Sequence, residues 1–317
     1  AYTWVSTAAA VVAVGAVPVI AEVDDALTLV VADAAGLVNE WTRAIIPVHM
    51  RGAAADMAAV TKLARAHDLV VIEDAAQAMG GSFRGRRLGA IGDLGCFSLQ
   101  YNKIITCGEG GVVTTDDADL HARVLMYHDV AAGMRAETAG RPVFYGITCR
   151  MSELQGAVAG VQLGRLDEII TACRTNRARI VDHVAATARD KDVRLRANHD
   201  EAGDTGIALV LLGPEPDTAG RLAQALRQDG IDAEILFEPE VVDLHIAPHW
   251  RPILEARGWS SRDPWSEQAG DYSHGPERWS RTTDRLSRSV HLDISPDLTP
   301  RQVGLIAEAL RTALAGL

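Results

Sequence analysis

Cysteine is sparse and unpatterned: Cys96, Cys107, Cys149 and Cys173 are scattered, with no Cys-x-x-Cys spacing. That excludes a zinc ribbon and a disulfide framework and makes a reducing cytoplasm the expected setting. No His-Glu-x-x-His pair occurs among the ten histidines. His245 and His249 stand four apart, but Pro248 lies between them, so surface histidines on a loop are expected and no metal. Long basic runs are missing too. With 31 basic against 42 acidic residues the formal charge is −11, which argues against a nucleic-acid surface. No apolar run is long enough for a bilayer: the stretch 8–20 is too short, is interrupted by Pro18, and lacks the basic flank of a signal peptide. It reads as a buried helix entering a buried strand, and no membrane partner is expected.

What is present is an enzyme-sized chain of 317 residues, 48% hydrophobic and 23% charged, enough for more than one domain. Short apolar runs at 17–23, 43–50 and 69–73 predict strands. Between the last two, residues 54–67 place Met57, Val60, Leu63 and Ala64 on one helical face. Strand, helix, strand at this spacing predicts a βαβ unit of a mostly parallel sheet. Further strands are expected at 96–100 and 111–115, a helix at 118–127, and a polar loop at 128–140. The stretch 151–185 predicts one long helix with Leu154, Val158, Leu166, Ile169 and Cys173 on one face. Beyond it, strands at 193–196, 207–212 and 233–237 alternate with helices at 217–228 and 299–314. The fold class is therefore α/β, with a large domain over 1–185 that includes the linking helix and a smaller α/β domain over 186–317. Residues 256–284 show no periodicity and read equally as an excursion over a site or a disordered loop.

In such sheets ligands collect beyond the carboxyl ends of strands, and Asp74 ends the run Val70-Val71-Ile72-Glu73-Asp74. Downstream, Lys103 follows Phe97-Ser98-Leu99-Gln100-Tyr101-Asn102 and precedes Gly108-Glu109-Gly110-Gly111. Either residue alone reads as a surface lysine or a helix-capping aspartate. Together they suit pyridoxal phosphate, whose aldehyde needs a lysine and whose pyridine nitrogen needs a carboxylate.

These segments resemble the sugar aminotransferases of the DegT/DnrJ/EryC1/StrS family, which are fold type I pyridoxal-phosphate enzymes. The resemblance is carried, in order, by Ala1-Tyr2-Thr3-Trp4, Ile46-Pro47-Val48-His49, Glu73-Asp74-Ala75-Ala76-Gln77, Phe97-Ser98 to Lys103, Gly108-Glu109-Gly110-Gly111 and Arg150-Met151-Ser152-Glu153-Leu154-Gln155. It covers residues 1–185 clearly and the rest loosely, through Ser289-Val290-His291. It implies that Lys103 is the Schiff-base lysine and the proton-moving base. Asp74 would pair with the pyridine nitrogen, Gln77 would support the ring hydroxyl, and Ser98 would donate to the phosphate. Trp4 would stack on the pyridine face, or else simply pack in a core. His49 matches a position near the family's site, with a buried strand-end histidine as the plainer expectation.

Two departures follow from the same resemblance. Thr148 stands where the family usually has an asparagine that reaches the partner subunit's cofactor phosphate, and a hydroxyl reaches less far than an amide. The chain also opens inside the family pattern. The preceding family segment carries a Ser-Gly-Thr turn that cradles phosphate at a helix N-terminus. The function implied is transamination of a keto-sugar or keto-cyclitol, with or without a nucleotide, by glutamate or glutamine, in amino-sugar biosynthesis. A homodimer in the cytoplasm is implied with it. Lys103 argues against the dehydratase relatives, which carry histidine there, and Gln100 hints at cyclitol or keto-sugar substrates. The alternative is a catalytically impaired relic or accessory subunit that pairs with a full-length homologue.

Overall fold

The computed structural model describes residues 1–258, 264, 265 and 276–317. It divides into two compact units: residues 42–171 with 199–205, and residues 1–41 with 172–198 and 206–317. The units do not coincide with a division at 185/186, because the first 41 residues group with the C-terminal part of the chain.

In the unit built around 42–171, six strands are β1 (Ala44–Ile45), β2 (Val70–Asp74), β3 (Ser82–Phe83), β4 (Arg86–Arg87), β5 (Leu94–Ser98) and β6 (Gly111–Thr114). The main sheet runs β1-β2-β5-β6, parallel except for its last pair, while β3 and β4 form a separate hairpin. The crossover from β1 to β2 is the helix Met57–His67, which buries Met57, Val60 and Ala64 as its 3.6-residue pattern predicts. Asp56 caps its start by accepting from Ala59 N at 3.1 Å. Asp68 ends it in a left-handed conformation (φ 53°). Strand β5 has glycine at 95 for a steric reason. A Cβ there would lie 2.0 Å from the Gly89 carbonyl oxygen, so only glycine lets the 89–93 loop close over the sheet.

The other unit has an antiparallel sheet of β7 (Arg194–Leu195), β8 (Ala208–Leu212), β9 (Glu234–Ile235) and β10 (Ser289–Asp293), in the order β7-β8-β10-β9. Helices Pro216–Gln228 and Pro300–Ala315 and part of Leu166–Asp190 pack on it. Ile180, Val184, Leu209, Leu211, Leu222, Leu226, Val290 and Leu310 form its core. The N-terminal helix Ser6–Ala13 buries Ala8 and Val12 against Trp250, Ile253 and Trp279.

Several expectations shift. The run 17–23 forms no strand beyond an isolated Val23–Leu29 bridge. The long helix is two, Glu153–Gly164 and Leu166–Asp190, broken at Arg165. Of the face expected along it, Leu154 (81% exposed) and Val158 (48%) lie in solvent, whereas Cys173 is buried. Within 256–284, residues 259–263 and 266–275 lie outside the described residues, and 280–287 are helical.

Candidate active site

Strand β2 ends in two adjacent carboxylates whose side chains alternate across the sheet. Glu73 is fully buried. Its Oε1 accepts from Ile91 N at 2.6 Å and Gly92 N at 2.7 Å, and its Oε2 accepts from Gly89 N at 2.9 Å and meets His49 Nε2 at 3.0 Å. Burial pushes this carboxyl up, but the bonds from His49 and the glycine N–H groups outweigh it and hold it below the usual carboxylate range. His49 Nδ1 accepts from Ala55 N at 3.1 Å, so Nε2 carries the proton given to Glu73. His49 is thus a buried structural histidine. Glu73 and His49 fasten together β2, the segment after β1 and the 89–92 loop.

Asp74 is only half-buried. Its backbone is held from both sides: Asp74 N donates to Pro47 O at 2.9 Å, and Asp74 O accepts from His49 N at 3.0 Å. Its Oδ1 accepts from Ala76 N at 3.1 Å. Gln77 is tied to the same place, its Oε1 accepting from Arg51 N at 3.3 Å and its carbonyl from Gly52 N at 3.0 Å. The amide nitrogen of Gln77 can then act as a donor.

Strand β5 runs parallel beside β2, with Asp74 opposite Cys96, and Ser98 is its last residue. Ser98 Oγ accepts from Gln100 N at 3.3 Å, which leaves its own O–H able to donate. Lys103 follows in a turn closed by its N–H to Gln100 O at 3.0 Å. The lysine is half-buried. Burial lowers its amine pKa; Asp74 pulls it back up, and Arg51 adds to the lowering. Asp74, Arg51 and Lys103 therefore share one electrostatic neighbourhood at the carboxyl end of the sheet. No hydrogen bond or ion pair engages the Lys103 ammonium among the described residues.

The next turn is braced from below. Ser152 and Gln155 form a reciprocal capping box at the start of Glu153–Gly164. Gln155 Nε2 also donates to Glu109 O at 2.7 Å. Gly110 packs against Met151 Sδ and Cys107 Sγ, 2.7 Å and 2.9 Å from a Cβ built there, so a side chain would push these sulfurs aside. These contacts join the Gly-Glu-Gly-Gly turn to the Arg-Met-Ser-Glu-Leu-Gln segment. The Ser-x-x-Gln spacing of a capping box was readable in the sequence. Arg51 and the hub role of Glu73 carried no comparable signal, because they depend on contacts distant in sequence.

Four predicted residues, Asp74, Gln77, Ser98 and Lys103, thus lie in one unit at one end of one sheet. The other two are placed differently. Trp4 belongs to the other unit, is 42% exposed, and has its ring 4.9 Å from that of His245, so plain core packing does not describe it. His245 in turn holds Asp243 Oδ1 at 2.8 Å from its Nδ1. His245 and His249 are partly exposed, and no cluster suited to a metal occurs among the described residues. Thr148 is exposed in an irregular segment whose neighbours, Ile147 and Cys149, donate to Tyr127 O (2.8 Å) and His128 O (2.9 Å).

The parallel-rich sheet, with Asp74 and Lys103 toward its carboxyl end, is that of the fold type I class. Residues 1–256 match the model of the DegT/DnrJ/EryC1/StrS aminotransferase family, and the chain belongs to that family. It is 39% identical over 171 residues to GDP-perosamine synthase of Caulobacter vibrioides, covering 54% of this chain and 46% of that protein. It is 37% identical over 268 residues to L-glutamine:2-deoxy-scyllo-inosose aminotransferase of Streptoalloteichus tenebrarius, covering 80% of this chain and 62% of that one. The chain thus spans about half the length of the curated relatives it matches. The aminotransferase structure from Psychrobacter cryohalolentis superposes with a TM-score of 0.81 at 23% identity, covering 99% of this chain and 80% of that one, which shows the shared fold. Among the described residues no helix is long and apolar enough to cross a membrane.

Proposed function

We propose that the protein is a pyridoxal-phosphate-dependent aminotransferase. It would move an amino group from glutamine or glutamate to a keto-sugar or keto-cyclitol, free or nucleotide-linked, in a cytoplasmic amino-sugar pathway. The observation that carries this reading is the half-buried Lys103, its pKa lowered by burial, within the field of Asp74 at the carboxyl end of β2. Support for the substrate class comes from the relatives, which include a perosamine synthase and a glutamine:scyllo-inosose aminotransferase.

The residues fit the cofactor on their own chemistry. Asp74, its backbone fixed on both sides, would hold a proton on the pyridine nitrogen. Gln77, its oxygen occupied by Arg51 N, would present N–H to the ring hydroxyl. Ser98 would donate to the phosphate, and Trp4, which is 42% exposed, is the residue that the family resemblance assigns to stacking on the cofactor ring. When bound, pyridoxal phosphate supplies the electron sink that makes a proton next to nitrogen removable. Lys103 would take that proton and return it one carbon further on, a task that needs the neutral amine its burial favours.

The partner chain in this reading is a second copy. The helix Glu153–Gly164 buries no residue, and Leu154, Val158 and Val161, spaced by four and three, form an exposed apolar face open to another protein. Thr148 lies five residues before that helix and would contact the partner's phosphate less firmly than an amide.

The test is an absorbance spectrum with pyridoxal phosphate, before and after excess glutamine. A visible band that forms in wild type, converts with the donor, and is absent in Lys103→Ala supports the reading. No band in wild type sinks it. A band only when a full-length homologue co-purifies would favour the accessory-subunit alternative.

A further inference from the structure

We propose that Thr205 is a positioning residue for the cofactor: its backbone N–H locks the Arg51–Gly52 turn, and that turn aims the side-chain amide of Gln77. This rests on the transamination reading and names what holds one of the cofactor contacts within it.

Among the described residues beyond 171, only 199–205 belong to the unit that carries Asp74, Gln77, Ser98 and Lys103. This segment is fastened to the β3–β4 hairpin. Asp200 Oδ2 accepts from Arg84 N at 2.6 Å, and Gly203 packs on the Ser82 carbonyl, where a Cβ would lie 1.8 Å from the oxygen. The segment ends on Thr205, which is fully buried and whose N–H donates to Gly52 O at 3.1 Å. The Thr205 hydroxyl has no hydrogen-bond partner, so the backbone and not the side chain makes the polar contact.

Gly52 carries that contact to Gln77. Met50–Ala53 is a tight turn closed by Ala53 N to Met50 O at 3.0 Å, with both central residues left-handed: Arg51 at φ 50° and Gly52 at φ 84°. Met50, Gly52 and Ala53 are buried, so their backbone groups need partners within the protein. Gly52 O takes Thr205 N. Arg51 N and Gly52 N both go to Gln77, to its Oε1 at 3.3 Å and its carbonyl at 3.0 Å. Two consecutive N–H groups thus grip one residue at two points and leave its Nε2 as the end that can donate. A left-handed arginine persists only where its surroundings over-determine it. Without Thr205 N the Gly52 carbonyl would be buried with no donor, and the turn would relax together with its grip on Gln77.

The experiment titrates the visible band of the pyridoxal-phosphate-loaded protein against pH and measures cofactor affinity by fluorescence. A donor at the ring oxygen stabilises its anion, so losing that donor lets the bound cofactor hold its proton to higher pH. Thr205→Pro deletes the N–H, and Asp204 already has the extended backbone that suits a residue before proline (φ −60°, ψ 137°). The titration should move up by about 0.5–1 pH unit and affinity should fall roughly 3- to 10-fold, the size of one neutral hydrogen bond. Thr205→Ala keeps the N–H and should titrate as wild type does, with no fall in Tm. Gln77→Ala should reproduce the shift, and adding Thr205→Pro to it should move the titration no further. A lower Tm in Thr205→Pro with the titration unmoved is a purely structural role and overturns the proposal, as does a further shift in the double variant. If Thr205→Pro does not fold, amide exchange in wild type decides. Cofactor loading should slow exchange at Gly52 and Thr205 more than at Arg84, which bonds the far end of the segment; equal slowing overturns the proposal. No visible band in wild type overturns the transamination reading, and this proposal with it. A band that shifts in Gln77→Ala but not in Thr205→Pro overturns this proposal alone.

Discussion

Strands β2 and β8 are both five residues long and both interior to four-stranded sheets, yet they end differently. Strand β8, Ala-Leu-Val-Leu-Leu, is buried throughout and carries no polar side chain. It runs antiparallel to β7 and β10, so its end lies beside the starts of its neighbours. Strand β2 runs parallel to β1 and β5, so three carboxyl ends share one edge. It finishes on two carboxylates there: one saturated by four hydrogen bonds, the other half-exposed beside Lys103. A central strand can afford polar groups only at the end where other ends converge and loops supply donors.

The largest effect should come from breaking the saturated carboxylate. Glu73→Ala leaves His49 Nε2 and three backbone N–H groups without acceptors, and should cost about 3–5 kcal/mol by urea denaturation. A loss below 1 kcal/mol would remove Glu73 from its place as the hub. The acid limb gives a sign test. The folded pKa of Glu73 lies below its unfolded value, so its contribution is complete above the ordinary carboxylate range and disappears as pH falls through the folded value. Glu73→Gln should flatten that part of the stability–pH curve. The matching change in β8, Leu209→Ala, removes packing alone and should cost about 2–5 kcal/mol with no such pH dependence. A pH-dependent loss at Leu209 would undo the contrast.

A smaller effect is expected one layer out. Ser152→Ala removes the N-cap acceptor of Glu153–Gly164 and should cost about 1 kcal/mol. Gln155 would keep its bond to Glu109 O, so the Gly108–Gly111 turn should stay ordered by amide exchange. If the turn loosens as much in Ser152→Ala as in Gln155→Ala, the cap rather than the Gln155–Glu109 bond holds it.

How much of this was readable in advance follows from the range of each interaction. The strand–helix–strand unit was legible because its signals are local: Met57, Val60 and Ala64 at helical spacing, and an apolar run ending at Asp74. Lys103 and Asp74 stand out in the sequence because each step of the proposed chemistry needs one residue type, and they share one end of the sheet. The face expected along 151–185 was misread because apolar periodicity does not distinguish a face buried in its own chain from one left open, and Leu154 is open. The 17–23 strand failed for a related reason: Val, Ala and Pro in a row signal burial without a pairing partner. The grouping of residues 1–41 with the C-terminal part rests on contacts such as Val23 N to Thr282 Oγ1 at 3.0 Å, 259 positions apart. No local pattern encodes such a contact.

The smallest stability change and the sharpest functional contrast should come from Thr148→Asn. The residue is exposed, with no hydrogen-bond partner among the described residues, so folding stability should stay within about 0.5 kcal/mol. If Thr148 faces a partner's phosphate, the amide's longer reach and second donor should tighten pyridoxal-phosphate binding several-fold, by about one added charge-assisted bond, in fluorescence titration. The gain should disappear when the protein is diluted to monomers, because an exposed side chain can help a site only across an interface. A gain that survives dilution would place the contact within one chain. No gain at any concentration would separate Thr148 from the phosphate and leave the exposed helix face as the sole support for pairing of two copies.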